Sequence, residues 1–150
     1  MKMIALSFLL VVGLLGCGNV KEPEFRSVGH FKVKTLGLQQ TTIGFNVTYF
    51  NPNNFGVTVK ETEADVYMDS VFLGKFIQDS NVLVQKNAEF TIPLSGNISL
   101  QTALQMNLQD LGTREIMVRA DGSTKVGKAG IYLNKPIHYQ GKHRLEDIQF

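Results

Sequence analysis

The chain has 150 residues, 43% of them hydrophobic, with 15 Lys and Arg against 13 Asp and Glu, one Cys and no Trp. That length supports one domain with its own core rather than two. A net charge of +2 is too small for a protein that grips nucleic acid by its overall field, and one Cys provides neither an internal disulfide nor a Cys-rich zinc site.

The first element is a leader. Met1 and Lys2 make a short positive start, Met3 to Gly16 carries no charge, and the run exits through small residues to Cys17. It is too short for a bilayer span, which needs about 20 residues. A charged start, a short apolar stretch and a small-residue exit read as a secretory signal peptide over 1–16. The exit, Leu14-Leu15-Gly16-Cys17, resembles a bacterial lipobox, in which the Cys thiol is lipidated and the chain is cut just before it. The resemblance implies several palmitate-type acyl chains on Cys17. Each buried methylene contributes about 0.8 kcal/mol, so one chain holds marginally and more than one holds stably. A nucleophilic role for Cys17 would need a His and an orienting group, and none lies near it in sequence. Gly18 stands where many lipoproteins kept at the inner membrane carry Asp, which favours the outer membrane, facing the periplasm, in a bacterial cell envelope with two membranes. Residues 17–27, including Pro23, read as a polar tether, and ten extended residues reach about 33–36 Å.

From Val28 the dominant period is two, and the domain is placed at 28–148. Phe31 and Val33 begin the alternation, and Ile43, Phe45, Val47 and Tyr49 continue it as a half-buried antiparallel strand. Ala64, Val66 and Met68 lead through Asp69-Ser70 into Val71-Phe72-Leu73, a hairpin pattern. Short strands follow at Val82–Val84, at Phe90–Leu94 and at Ile116–Ala120. The last strands are placed around Gly130–Leu133 and Ile137–Tyr139, with Gly141-Lys142 as a turn. One helix interrupts the series over 99–111. Ser99 suits its N-cap, Leu100, Ala103, Leu104, Leu108 and Leu111 fall on one stripe, and Gly112 suits C′. Met106 reads as a surface or core-edge residue. The fold class is therefore all-β, an antiparallel two-sheet sandwich with one short helix closing an end. The Cys and Trp pattern of a true immunoglobulin domain is absent.

The segment Tyr49-Phe50-Asn51-Pro52-Asn53-Asn54-Phe55-Gly56-Val57 is a strand ending in a sharp corner. Pro52 fixes φ there and the Asn side chains can bond nearby backbone. The order of Asn51-Pro52-Asn53 after an alternating strand, a hairpin with Gly74, Pro93 in Phe90-Thr91-Ile92-Pro93-Leu94, the helix, then Gly122, Gly130, Pro136 and Gly141 resembles the late embryogenesis abundant group 2 (LEA type 2) domain. That domain is also called the water stress and hypersensitive response (WHy) domain. The similarity runs from about Val28 to Leu145. It implies a fibronectin-III-like or immunoglobulin-like β-sandwich, no cofactor, no catalytic residues, and a role in desiccation or other water stress. Asn51, Pro52 and Asn53 are then a structural signature.

Other candidate sites are weak. His138 and His143 match neither a helical ligand pair nor a zinc-finger pair, and with His30 they read as exposed strand or turn residues, so no metal is assigned. Glu61, Glu63 and Asp65 alternate along a strand; Ca²⁺ binding is one reading, but a polar outer face explains them. No nucleophile elbow, phosphate loop or dinucleotide fingerprint occurs, and the chain reads as a non-enzyme. Between Arg114 and Arg144 seven Lys and Arg stand against Glu115 and Asp121, a pattern read as dispersed surface charge. Three functions follow: a stress-protective lipoprotein, an envelope interaction or scaffold protein, and a lipid-binding or lipid-transfer module. The partners are the membrane, through acylated Cys17, and an envelope protein or lipid, with no nucleic acid. Alternation alone leaves both a filled and an open core possible.

Overall fold

The computed structural model describes residues 19–106 and 112–144; the expected leader, Cys17 with Leu14-Leu15-Gly16 before it, Leu108 and Leu111 lie outside the described residues. Eight strands and one helix follow in chain order: β1 (Glu24–Leu36), β2 (Gln40–Phe50), β3 (Val57–Met68), β4 (Val71–Gln78), β5 (Val82–Val84), β6 (Glu89–Ser99), α1 (Leu100–Gln105), β7 (Glu115–Lys128) and β8 (Ile131–Arg144). All pairings are antiparallel, in the order β1-β2-β6-β4-β3-β7-β8, with β5 on β3. The protein is thus an all-β open sandwich with one short helix.

A continuous ladder makes a sandwich here because β4 and β3 turn the corner. Phe76, Ile77 and Gln78 of β4 pair with β6, while Val71 to Ile77 pair with β3. β3 changes partner at a bulge between Lys60 and Glu63, where Glu61 takes a φ of 50°. An extra residue bends and twists a strand. Gln78 repairs the gap: Thr62 N donates to its Oε1 at 3.0 Å, and its Nε2 donates to the Val59 carbonyl at 3.0 Å. Buried Val59, Val66, Leu73, Phe76, Val84, Phe90, Ile92 and Leu94 form the core between the two halves.

Asp69 and Ser70 join β3 to β4 with φ of 46° and 69°, the left-handed pair that a type I′ hairpin needs. Pro93 lies inside β6 without breaking its ladder. Its carbonyl accepts from Asp79 N at 2.9 Å, just past the end of β4. A residue's N and C=O point to the same side of a strand, so the missing N–H lies on that side and not toward β2.

Four local readings change. β1 opens at Glu24, four residues ahead of the Val28 start of the alternation, so part of the presumed tether is strand. Gly141 and Lys142 are not a turn: they pair with Val118 and Met117 inside β8, and the β7–β8 turn is Ala129-Gly130, both at positive φ. The helix ends at Gln105 with Met106 as an extended C-cap, so Gly112 is not its C′ residue. The described part of its stripe is not buried either, Leu100 and Leu104 both being exposed. The N-cap reading holds, with Ser99 Oγ accepting from Thr102 N at 3.0 Å.

Candidate functional site

The two halves of the sandwich meet at their buried core but do not close along their whole length. Between them runs a cavity of about 380 Å³, within the range of small-molecule pockets. Inward-facing positions of β1, β2, β3, β4, β6, β7 and β8 line it, and Met106 reaches it from the end of α1. The wall holds no Asp, Glu, Lys or Arg; its inward polar side chains are Thr62, Tyr49, Tyr139 and His143, while the Tyr67 ring packs outward against Arg119. Alternation places this wall: Ile43, Phe45, Val47 and Tyr49 are successive same-face positions of β2, and Ile116, Val118 and Ala120 are those of β7.

The edge strands β1 and β8 are the ends of the ladder, and among the described residues no backbone pairing joins them. Side chains bridge this seam. Phe25 of β1 packs edge-on against Tyr49 at 5.9 Å, and its ring lies 5.7 Å from Tyr139 and 6.5 Å from His143 of β8. Tyr139 Oη hydrogen-bonds His143 Nε2. That bond requires the phenol to lie along its own strand, across Gly141, where a Cβ would overlap the hydroxyl. A strand glycine often marks such a close approach. Burial raises the Tyr49 phenol above its ordinary value and the nearby Tyr139 adds to the rise; burial raises Tyr139 as well. Both are uncharged hydrogen-bonding groups at neutral pH.

His143 therefore stands apart from the other two histidines, and its expected place on an exposed strand or turn is corrected: it is half-buried in the cavity wall. His138 is exposed with Nδ1 3.1 Å from Asp121 Oδ1, and His30 is exposed at a β1 bulge with φ 54°. Sequence reading missed the Tyr139–His143 pair because a separation of four along a strand normally exceeds side-chain contact. The one available signal was Gly141 between them.

Asn51 is 4% exposed and fills the corner after β2. Its Nδ2 donates to the carbonyls of Phe55 (2.9 Å) and Gln85 (3.0 Å), and its Oδ1 accepts from Asn53 N (3.1 Å) and Asn53 Nδ2 (2.9 Å). Its backbone N donates to Ala88 at 2.9 Å. Asn51, Pro52 and Asn53 are thus built into the scaffold and lie outside the cavity wall. On the outer surface, Glu61 pairs with Lys125, Asp65 with Lys75 at 3.2 Å, and Lys142 with Glu115 at 3.8 Å. Arg119 pairs with Asp121 at 3.1 Å and stacks over Tyr67 at 4.1 Å. Among the described residues no three His, Cys, Asp or Glu converge on a metal-sized space, and no helix is long and apolar enough to cross a membrane.

No protein-family model matches the sequence. An uncharacterized protein of Methanocaldococcus jannaschii, MJ1138, is 27% identical over 142 residues, spanning 92% of this chain and 78% of that one. The fold resembles a crystal structure of a protein from Archaeoglobus fulgidus (TM-score 0.52, 12% identity, 81% of this chain and 97% of that one). It also resembles the solution structure of AT1g01470 from Arabidopsis thaliana (TM-score 0.54, 12% identity, 94% of this chain and 91% of that one). Identities this low speak to the fold alone.

Proposed function

We propose that this protein is a non-enzymatic lipid-binding module of the cell envelope, anchored through acylated Cys17, that takes a hydrocarbon chain into the cleft between the halves of its sandwich. One observation carries the reading: a cavity of about 380 Å³ whose wall lacks every acidic and basic side chain except a single histidine. Water gains little in such a space, whereas an acyl chain exchanges its hydration for contact with Phe45, Val47, Ile92 and Val118. A fully packed sandwich would leave no such space beside these side chains. Protection of the envelope in desiccation, the role implied by the LEA type 2 resemblance, is the cellular role we attach to the same module. Native mass spectrometry of the full chain carrying Cys17→Ser, purified from cells and desalted, tests the binding. A retained lipid mass is the expected result; a lipid-free protein that also ignores added dodecanoate, dodecanol and methyl dodecanoate overturns it.

A further inference from the structure

The cavity wall is not uniform. Its aliphatic lining meets a polar end where Tyr139, His143 and Tyr49 gather under Phe25 at the β1–β8 seam. Putting a hydroxyl and an imidazole against an apolar cleft is unfavourable unless they find partners. Here each is the other's partner, and the arrangement is built: a side-chain-free Gly141 is needed for the phenol to reach the ring. Packing alone would not require it, since Phe and Leu at these positions would close the seam without any polar group to satisfy. Phe25 is 40% exposed, so this end of the cleft reaches solvent.

The pair can exchange its mutual bond for two bonds to a ligand. A phenol donates one hydrogen and an imidazole N–H donates another, and both can turn to a shared acceptor placed between them. His143 is the one lining group able to carry positive charge, and no carboxylate lines the cleft to repel an anion. Resting on the lipid-binding reading, we infer that the ligand is a single-chain lipid with a free carboxylate head. Its tail lies in the apolar cleft, and its carboxylate accepts from Tyr139 Oη and His143 Nε2 at the seam. The two oxygens of a carboxylate can engage both donors at once, as charge-assisted bonds. An ester of the same chain has no charge and offers weaker acceptors. The pair thus distinguishes a free fatty acid from the esterified chains of a bilayer, whereas the cleft alone does not. Gly141 is a positioning residue in this scheme, holding Tyr139 in place without touching the ligand.

The test compares three probes of equal chain length, dodecanoate, dodecanol and methyl dodecanoate, by calorimetric titration into the delipidated full chain carrying Cys17→Ser. Dodecanoate should bind one per chain and about 10- to 100-fold tighter than the methyl ester, the range for a hydrogen bond to a charged group. Tyr139→Phe together with His143→Gln should remove that preference by weakening dodecanoate far more than the methyl ester, with circular dichroism matching the parent. Gly141→Ala should weaken dodecanoate selectively by displacing the phenol. Equal affinity of the parent chain for acid and ester overturns the head-group assignment while leaving the lipid-binding reading intact. Binding of none of the three overturns both. A double variant that keeps the full acid preference overturns the assignment to this pair.

Discussion

Asn53 clasps the backbone of Lys21 from both sides, donating from Nδ2 to its carbonyl at 2.8 Å and accepting from its N–H at 2.9 Å. The same side chain is held by Asn51 Oδ1. The clasp fixes the chain three residues before β1 begins, and only about four residues separate Lys21 from Cys17. At 3.3–3.6 Å each they reach about 13–14 Å, less than half the span of an unstructured tether over 17–27. If Cys17 is the anchor, this corner of the sandwich faces the membrane.

The two asparagines should differ in cost. Asn53→Ala removes exposed hydrogen bonds and should lower stability by about 1 kcal/mol, with faster amide exchange at Lys21. Asn51→Ala leaves the carbonyls of Phe55 and Gln85 and the N–H of Asn53 unmatched in a buried corner, and should cost about 2–4 kcal/mol. Urea denaturation of both variants checks the ranking; equal losses would refute the network described for the corner.

The sequence made the fold largely legible where period two was strong. β2, β6 and β7 show it cleanly, and the Asp69-Ser70 hairpin and the β5 strand fall where composition places them. β1 and β8 were harder, for a physical reason. β1 carries register shifts at three places along its pairing with β2, and each bulge resets the alternation. In β8, Pro136 and Gly141 look like turn signals, yet an edge strand tolerates Pro, and Gly141 answers to the Tyr139 ring rather than to a bend. The cavity was not legible. Alternation marks which side chains face inward, but whether opposing faces touch depends on how far the corner strands splay the halves.

Asp69 ties the β3–β4 turn to the start of β7. Its Oδ1 accepts from Met117 N at 3.0 Å, its Oδ2 from Arg114 at 2.5 Å, and its own N–H donates to Met117 O at 2.9 Å. The Met117 N–H, with help from Arg114, holds its carboxyl below the usual aspartate range despite partial burial. A lowered carboxylate pKa adds stability that is present above the unfolded-state value and lost as pH falls through the folded one. Asp69→Asn should therefore cost about 1 kcal/mol near neutral pH, allowing for solvent screening of a side chain about one-third exposed. Parent and variant should converge below about pH 4. Thermal melts across that window check the sign; a gap that widens on acidification contradicts it.

At the alkaline end the sign reverses. Tyr49 and Tyr139 have raised phenol values, so the stability they add is fully present below the ordinary tyrosine range, about pH 10, and is lost as pH rises through their folded values. Tyr49 and Tyr139 should ionise together with loss of the fold. Tyrosinate absorbance followed against circular dichroism checks this. Ionisation of Tyr49 and Tyr139 while the dichroism is unchanged would show that the seam does not bury them.

The splay of the sandwich predicts a stability change of unusual sign at Ala120. This residue lines the cavity directly across from Tyr139 in the β7–β8 ladder. In a filled core, Ala→Phe overpacks and costs about 1–3 kcal/mol through shifted backbone and strained rotamers. In an open cleft of about 380 Å³ the new ring has room and gains from burial and from its cross-strand aromatic neighbour. Ala120→Phe should then raise stability by about 1 kcal/mol while weakening dodecanoate at least about tenfold, since 1.4 kcal/mol of lost tail contact is a factor of ten. Ile116→Ala is the control: that side chain is 0% exposed, and its loss should cost about 2–5 kcal/mol. Urea midpoints and calorimetric titration of the two variants separate the cases. A destabilised Ala120→Phe that still binds dodecanoate as the parent does would mean that the halves close on each other in solution and that the ligand lies elsewhere.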